Sequence, residues 1–181
     1  RFFGYGAEPI KQLGEPPFGD ELAAGLALGR FEGLNNEPDM EAPWAYQFVG
    51  RPDRTTEVVH ALRTNAFGTG RGGLAGNDDS GGISSWYVWA SLGLFPVAGQ
   101  SLFFVNAPSF DRSTIRVPGG DFVVEASGRE SRGADEPPQY VQSVSLDGEA
   151  LERGWITGRE LHRPGHLVVS LGDQPSEWAT T

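Results

Sequence analysis

The stretch Gly76–Pro96, GNDDSGGISSWYVWASLGLFP, decides the fold and also raises the question of function. Two adjacent carboxylates, Asp78 and Asp79, stand in a glycine-rich turn directly before a run of apolar and aromatic residues. Apolar side chains fall on nearly every face of this run, which is typical of a fully buried helix. Gly93 supplies a signal that ends such a helix. Charged side chains directly before a buried helix are expected to have either a structural or a catalytic role.

The acidic turn has two interpretations, and the pattern alone does not choose between them. Aspartates among glycines form Asx turns, and the turn can cap the following helix through Ser80, Ser84 or Ser85. Alternatively, a carboxylate beside a dry aromatic helix has a disturbed pKa, which general acid–base catalysis uses. The glycines would then let a substrate approach the backbone closely.

A second acidic stretch, Asn35–Glu41 (NNEPDME), precedes a predicted helix. Its carboxylate and amide oxygens are the kind of ligand that Ca²⁺ prefers, although the spacing is not that of an EF-hand. Acidic groups near a helix N-terminus also complement the helix dipole, and this interpretation is favoured on the residues alone. Trp44 lies close to this loop in the sequence and is a candidate for lining a pocket.

The composition describes a globular protein, with 181 residues of which 38% are hydrophobic and 21% charged. Its formal net charge of −10 argues against nucleic-acid binding, because no basic surface is available to neutralise phosphates. Cysteine is absent, which excludes disulfides and thiolate metal ligands. No apolar run reaches the roughly 18–20 residues of a membrane span. Since no methionine precedes Arg1, we expect a processed product or an excerpt of a longer protein.

The organisation of the chain predicts an α+β protein in two parts. Residues 1–96 contain the helix candidates, and residues 97–181 contain short β-branched and aromatic runs separated by Gly, Pro and Asp turns. The spacing of these runs favours a small antiparallel β-sandwich.

Three segments together resemble the C-terminal part of the calcium-dependent exo-α-mannosidases, glycoside hydrolase family 92. They are RFEGLNNEPDMEAPWAYQFVGRPDRT, GRGGLAGNDDSGGISSWYVWASLGLFPVAG and APSFDRSTIRV. The resemblance covers essentially the whole chain. It is most specific from Arg30 to Phe110, where the Asn-Glu-Pro and Gly-Asn-Asp-Asp motifs agree in order and spacing.

The resemblance implies an architecture and a reaction. Residues 1–96 would be the end of an (α/α)6-barrel catalytic domain, and residues 97–181 a C-terminal β module. Family members remove terminal α-linked mannose with inversion, and they use Ca²⁺ to hold sugar hydroxyls. Asp79 matches the family's general base, with Asp78 beside it ordering the water or the metal.

The resemblance also implies a binding role for residues of both acidic stretches. Glu37 and Asn36 would contact the substrate, together with Asn77 and with Trp44 as a pocket-lining side chain. The expected metal ligands are Glu37 and Asp39. Many family members continue the Asn-Glu-Pro turn with Ser-His-His, whereas this chain continues with Asp39, Met40 and Glu41.

The family's general acid lies upstream of Arg1, so the resemblance implies that the isolated chain is inactive. The expected partners are a mannose-containing glycan and the N-terminal portion of the same enzyme, in a secreted or periplasmic setting. The alternative is a non-catalytic carbohydrate-binding or structural C-terminal module of a larger or split enzyme.

Overall fold

The computed structural model describes Leu34, residues 37–131 and residues 136–180. Within these ranges the helical elements are α1 (Glu37–Glu41), the 3-10 helix η1 (Ala42–Val49), α2 (Pro52–Asn65), α3 (Gly82–Leu92) and α4 (Gly158–Leu161). The strands are β1 (Leu94–Pro96), β2 (Leu102–Val105), β3 (Arg112–Val117), β4 (Gly120–Ser127), β5 (Tyr140–Leu146), β6 (Glu149–Ala150), β7 (Trp155–Thr157) and β8 (Gly165–Gly172). The α+β class is confirmed.

Helix α2 lies within residues 1–96, the part of the chain in which the sequence predicts helices. Pro52 occupies the first turn, where its missing N–H and fixed φ are tolerated. Val58, Val59 and Leu62 are buried on one side, and they pack in a hydrophobic cluster with residues of α3. No helix in the described ranges is long and apolar enough to cross a membrane.

Helix α3 is buried on one side only, so the prediction of a fully buried helix is wrong for this chain. Ile83, Trp86 and Ala90 are at most 1% exposed, whereas Tyr87 and Val88 are 38% and 56% exposed. Among the described elements, α1, α2 and β1 pack against α3, and the first set of side chains belongs to the hydrophobic cluster of the helices. An apolar sequence allows a helix to be buried on every face, but the elements that pack against the helix determine which faces are buried.

The strands form two sheets. β1, β2 and β7 form an antiparallel three-stranded sheet, and the second sheet has the order β3-β4-β8-β5-β6. One hydrophobic cluster joins both sheets, with Val105 and Ile156 from the first and Phe122, Leu167 and Val169 from the second.

The second sheet is mixed rather than antiparallel, which corrects the predicted antiparallel arrangement. β4 pairs in parallel with β8, while β8 pairs antiparallel with β5 on its other side. Strand periodicity predicts which residues face the core, but it carries no information on the direction of the neighbouring strand.

The predicted division between residues 96 and 97 stays a prediction. Strand β1 ends at Pro96 and pairs across this point with β2, with Phe95 opposite Phe104. Both phenylalanines belong to the hydrophobic cluster of the helices. The polypeptide on the two sides of the proposed boundary is therefore packed together.

Gly93 ends α3, as the sequence predicts, and fits closely against the chain that leaves β2. It has a left-handed φ of 73°, and its N–H donates to Ala90 O. A Cβ at this position would lie 2.7 Å from Asn106 O and 2.8 Å from Pro108 Cγ. Asn106 N donates to Gly93 O at 2.9 Å, so the helix end and the loop after β2 are bonded together.

We predict that Gly93→Ala destabilises the protein more than Gly99→Ala. Both glycines have a φ near 72°, but a Cβ at Gly99 meets nothing within 4 Å. Gly99→Ala carries only the left-handed penalty of about 1–2 kcal/mol. Gly93→Ala adds overpacking of about 1–3 kcal/mol. Urea unfolding of both variants measures the difference, and equal losses would contradict the close fit at Gly93.

Candidate functional site

The carboxylate of Asp78 is bonded to the first turns of α3. Its Oδ1 accepts a hydrogen bond from Ser84 N at 2.8 Å, and its Oδ2 accepts one from Ser84 Oγ at 3.1 Å. The backbone oxygen of Asp78 also accepts from Gly82 N at 2.6 Å. Asp78 therefore acts as a capping residue, because it satisfies N–H groups that the start of a helix leaves without partners.

Asp79 presents its carboxylate to solvent from a strained turn. It has a φ of 29°, and Ser80 and Gly81 follow with φ values of 63° and 90°. Positive φ is uncommon for residues with a Cβ, and such strain is often found at functional sites. Asp79 is exposed, and its carboxylate makes no hydrogen bond or ion pair with the described residues. The carboxylate of Asp78 is therefore held by hydrogen bonds, whereas the carboxylate of Asp79 is accessible from solvent.

The acidic helix α1 lies against the first turns of α3. Trp86 Nε1 donates to Met40 O at 2.8 Å, across 46 residues of sequence. The side chain of Met40 covers Gly82, where an added Cβ would lie 3.1 Å from Met40 Cε. The fold therefore brings α1 next to the start of α3, which directly follows the Gly-Asn-Asp-Asp turn. This contact is not predictable from the sequence, because a single Met between two acidic residues belongs to no recognisable motif.

The other candidates from the acidic stretches have different surroundings. Asn36 lies outside the described residues, and for Glu37 the structure describes the backbone only. Asp39 is buried, with 6% exposure, whereas Asn77 is exposed.

The part of the chain that the structure describes contains no group of three or more Asp, Glu or His side chains placed to hold a metal ion. Because Ca²⁺ takes six to eight oxygen ligands, Asp39 and Glu37 would need further ligands from elsewhere.

Trp44 is buried in a packed aromatic pair. It is 1% exposed and stacks on Phe95, with ring centroids 4.5 Å apart and an angle of 8° between the planes. Its Nε1 has no hydrogen-bond partner among the described residues. Trp44 lines an apolar groove of about 400 Å³ that also includes Phe48 and Phe104. Phe95 covers one face of the indole, so that face is closed to a stacked sugar.

We predict that Asp78→Ala lowers the free energy of unfolding by about 1 kcal/mol, the typical loss of a helix cap. The exposed Asp121 is the matched control, since it makes no hydrogen bond or ion pair with the described residues, and Asp121→Ala should be close to neutral. Thermal unfolding of both variants tests this, and an Asp78→Ala variant as stable as the parent would contradict the capping role.

Comparison with known proteins identifies the family. The model of the glycosyl hydrolase family 92 catalytic domain matches residues 23–173. A relative from Arthroderma benhamiae, named an uncharacterized secreted glycosidase, is 32% identical over 149 residues. The match covers 81% of this chain and 19% of that relative.

Solved structures agree in fold. The family GH92 inverting mannosidase BT2199 of Bacteroides thetaiotaomicron matches with a TM-score of 0.70 and 30% identity, over 81% of this chain and 20% of that one. The α-mannosidase BT3965 of the same species, solved with mannoimidazole, has a TM-score of 0.75 at 20% identity. That match covers 87% of this chain and 20% of the other, and it supports the fold alone.

This chain spans about a fifth of the length of the relatives it matches. The family model nevertheless extends over most of it, including both acidic segments and the strands up to β8. The chain belongs to glycoside hydrolase family 92.

Proposed function

We propose that this chain forms part of a glycosidase that removes terminal α-linked mannose with inversion, and that Asp79 is its general base. The observation that carries the proposal is the contrast within the acidic turn. Asp78 is bonded to Ser84, whereas the strained turn leaves the carboxylate of Asp79 exposed. The 30% identity with an inverting mannosidase supports the reaction class.

Inverting hydrolysis requires two carboxyl groups, about 6.5–9.5 Å apart, on opposite sides of the glycosidic bond. In the proposed step Asp79 accepts a proton from water, and the water oxygen bonds to the anomeric carbon. The bond to the leaving oxygen breaks, and a carboxylic acid outside residues 1–181 protonates that oxygen. Asp78 does not take a proton in this scheme. Its bonds to Ser84 hold the turn that positions Asp79.

The remaining predicted residues form the proposed substrate side of the site. Asn77 adjoins the acidic turn and would donate a hydrogen bond to a sugar oxygen or to the attacking water. Asn36 and Glu37 would contact the sugar from the segment that Met40 and Trp86 anchor beside α3. Trp44 would act by lining the groove rather than by stacking on the side that Phe95 occupies.

Calcium is proposed as the cofactor, with Asp39 and Glu37 as contributors to its ligands. Hard cations prefer carboxylate oxygens, and Asp39 is a buried carboxylate on α1, the helix that packs against α3. When bound, the ion would hold sugar hydroxyls. The rest of its ligands would come from other parts of the protein or from water.

The proposed architecture places the helices at the end of an (α/α)6 barrel, with the N-terminal portion of the enzyme as the partner that carries the acid. Exposed apolar side chains on the helical part support such a partner. They are Phe48, Val49, Leu74, Tyr87 and Val88, with exposures between 38% and 71%.

A secreted or periplasmic location is proposed because the relative from Arthroderma benhamiae is named a secreted glycosidase.

A non-catalytic carbohydrate-binding module is the second candidate function, and the β part of the chain argues against it. Trp178 is 7% exposed, and its Nε1 donates to Leu151 O at 2.7 Å. The ring of Trp155 lies under the Arg153 guanidinium, 4.6 Å from the ring centroid. Neither indole therefore offers the open face that a sugar-stacking platform requires.

We predict that Asp79→Asn in the full-length enzyme lowers kcat on a terminal α-mannoside by about 10²–10⁴-fold, the usual contribution of a general base. Folding stability should change little, because the side chain makes no described contact. Asp121→Asn is the charge-matched control. Mannose release measures the rates, and NMR of the first product should show the inverted anomer. Near-parental activity of Asp79→Asn, or a retained anomer, would contradict the proposal.

We predict that chelation of Ca²⁺ from the full-length enzyme abolishes mannose release, and that added Ca²⁺ restores it. Asp39→Asn should raise the Ca²⁺ concentration needed for half-maximal activity, because an amide is a weaker ligand for a hard cation than a carboxylate. Glu149→Gln, at an exposed position of β6, is the control. Full activity of the chelated enzyme would exclude the proposed cofactor.

A further inference from the structure

A polar cavity of about 140 Å³ lies between α2 and the loops next to β2, β4 and β5. This volume is well above the roughly 10–15 Å³ that a single water requires. Its lining shares no residue with the acidic turn. Its described polar lining includes His60, Arg63, Asn106, Ser109, Arg129 and Gln139.

Two guanidinium groups line this cavity and act on each other. Burial lowers the pKa of the Arg63 guanidinium, and the positive charge of Arg129 lowers it further. The neighbouring Tyr87 acts in the opposite direction and raises the pKa of Arg63, and among the described residues no carboxylate forms an ion pair with Arg63. Arg129 Nε donates to Asp111 Oδ1 at 2.6 Å, but the side chain of Asp111 is 77% exposed. Two cations therefore share a polar space in a protein whose formal net charge is −10.

The cavity also has hydrogen-bond donors without a partner among the described residues. Asn106 is 2% exposed, and its Oδ1 accepts from Thr56 Oγ1 at 2.6 Å. No described residue accepts a hydrogen bond from the amide nitrogen of Asn106. Ser109 Oγ is buried and likewise has no partner in the described ranges. Since an unpaired buried donor costs about 1–3 kcal/mol, the Ser109 hydroxyl favours an acceptor in the cavity, and the Asn106 amide can donate to the same acceptor.

The other polar groups of the lining are already engaged. His60 Nε2 is 3.1 Å from Glu136 O. Gln139 accepts from Glu130 N and donates to Gly128 O. Glu130 is the one carboxylate among the described lining residues, and it is exposed. Asp111 pairs with Arg129, and Glu130 lies exposed at the rim, so Arg63 is the guanidinium of the described lining that pairs with no described carboxylate.

We propose that this cavity binds a small tetrahedral oxyanion, of the phosphate or sulfate type, between Arg63 and Arg129. Such an anion offers acceptor oxygens to both guanidiniums, to the Asn106 amide and to the Ser109 hydroxyl at the same time. Hydrogen bonds from charged donors are the strongest class available to it. The site is separate from Asp79, so its existence does not depend on the proposed reaction.

The test is calorimetric titration of the full-length protein with inorganic phosphate at constant ionic strength. Saturable binding of one phosphate at this cavity is expected. Arg63→Gln and Arg129→Gln should each weaken it at least tenfold. Arg116→Gln, at an exposed position of β3 outside the cavity, removes the same charge and should leave the affinity unchanged. Ser109→Ala removes a donor without altering charge and should weaken binding about two- to fivefold.

Thermal unfolding of each variant separates loss of binding from loss of folding, and Ser109→Ala still provides a result if an arginine variant does not fold. Glycerol 3-phosphate and acetate are titrated in parallel. Binding of the monoester alone assigns the site to an esterified phosphate, whereas binding of inorganic phosphate alone assigns it to the free anion. No saturable binding of either, equal effects of Arg116→Gln and Arg63→Gln, or equally tight acetate binding would overturn the proposal.

Discussion

The contact between the end of α3 and the loop after β2 is the constraint on which the described structure depends. Gly93 ends the helix in a conformation that favours glycine, and a side chain there would overlap Asn106 and Pro108. Thr56 Oγ1 bonds to Asn106 Oδ1 at 2.6 Å and joins α2 to the same loop. A buried polar contact therefore joins α2 to the loop that follows β2, and β1 follows α3 directly in the chain.

Helix α3 connects this contact with the candidate site. Its C-terminal end is held by the loop after β2, and its N-terminal end holds the acidic turn through Asp78 and Ser84. Trp86 lies between the two ends and bonds to the backbone of Met40. Because one helix contacts all three segments, the position of the turn depends on packing many residues away. Asn106, in the loop after β2, also lines the polar cavity beside α2.

Much of the fold and part of the site could be predicted from the sequence. Local signals were sufficient to predict helices within residues 1–96 and the helix end at Gly93, because capping and helical periodicity are properties of neighbouring residues. They were insufficient for the parallel pairing of β4 with β8 and for the exposed side of α3, since these depend on segments distant in sequence. The local sequence pattern also does not distinguish Asp78 from Asp79, although their surroundings in the fold differ.

The sequence by itself determined the family motifs, the helical and strand segments and the presence of two acids before an apolar helix. Only the tertiary structure decided which acid is bonded and which is exposed, because that depends on the turn geometry and on the reach of Ser84. It alone also placed Arg63 and Arg129, 66 residues apart in sequence, around one cavity. Spacing predicts contacts within one helix or strand, whereas contacts between distant segments come from packing.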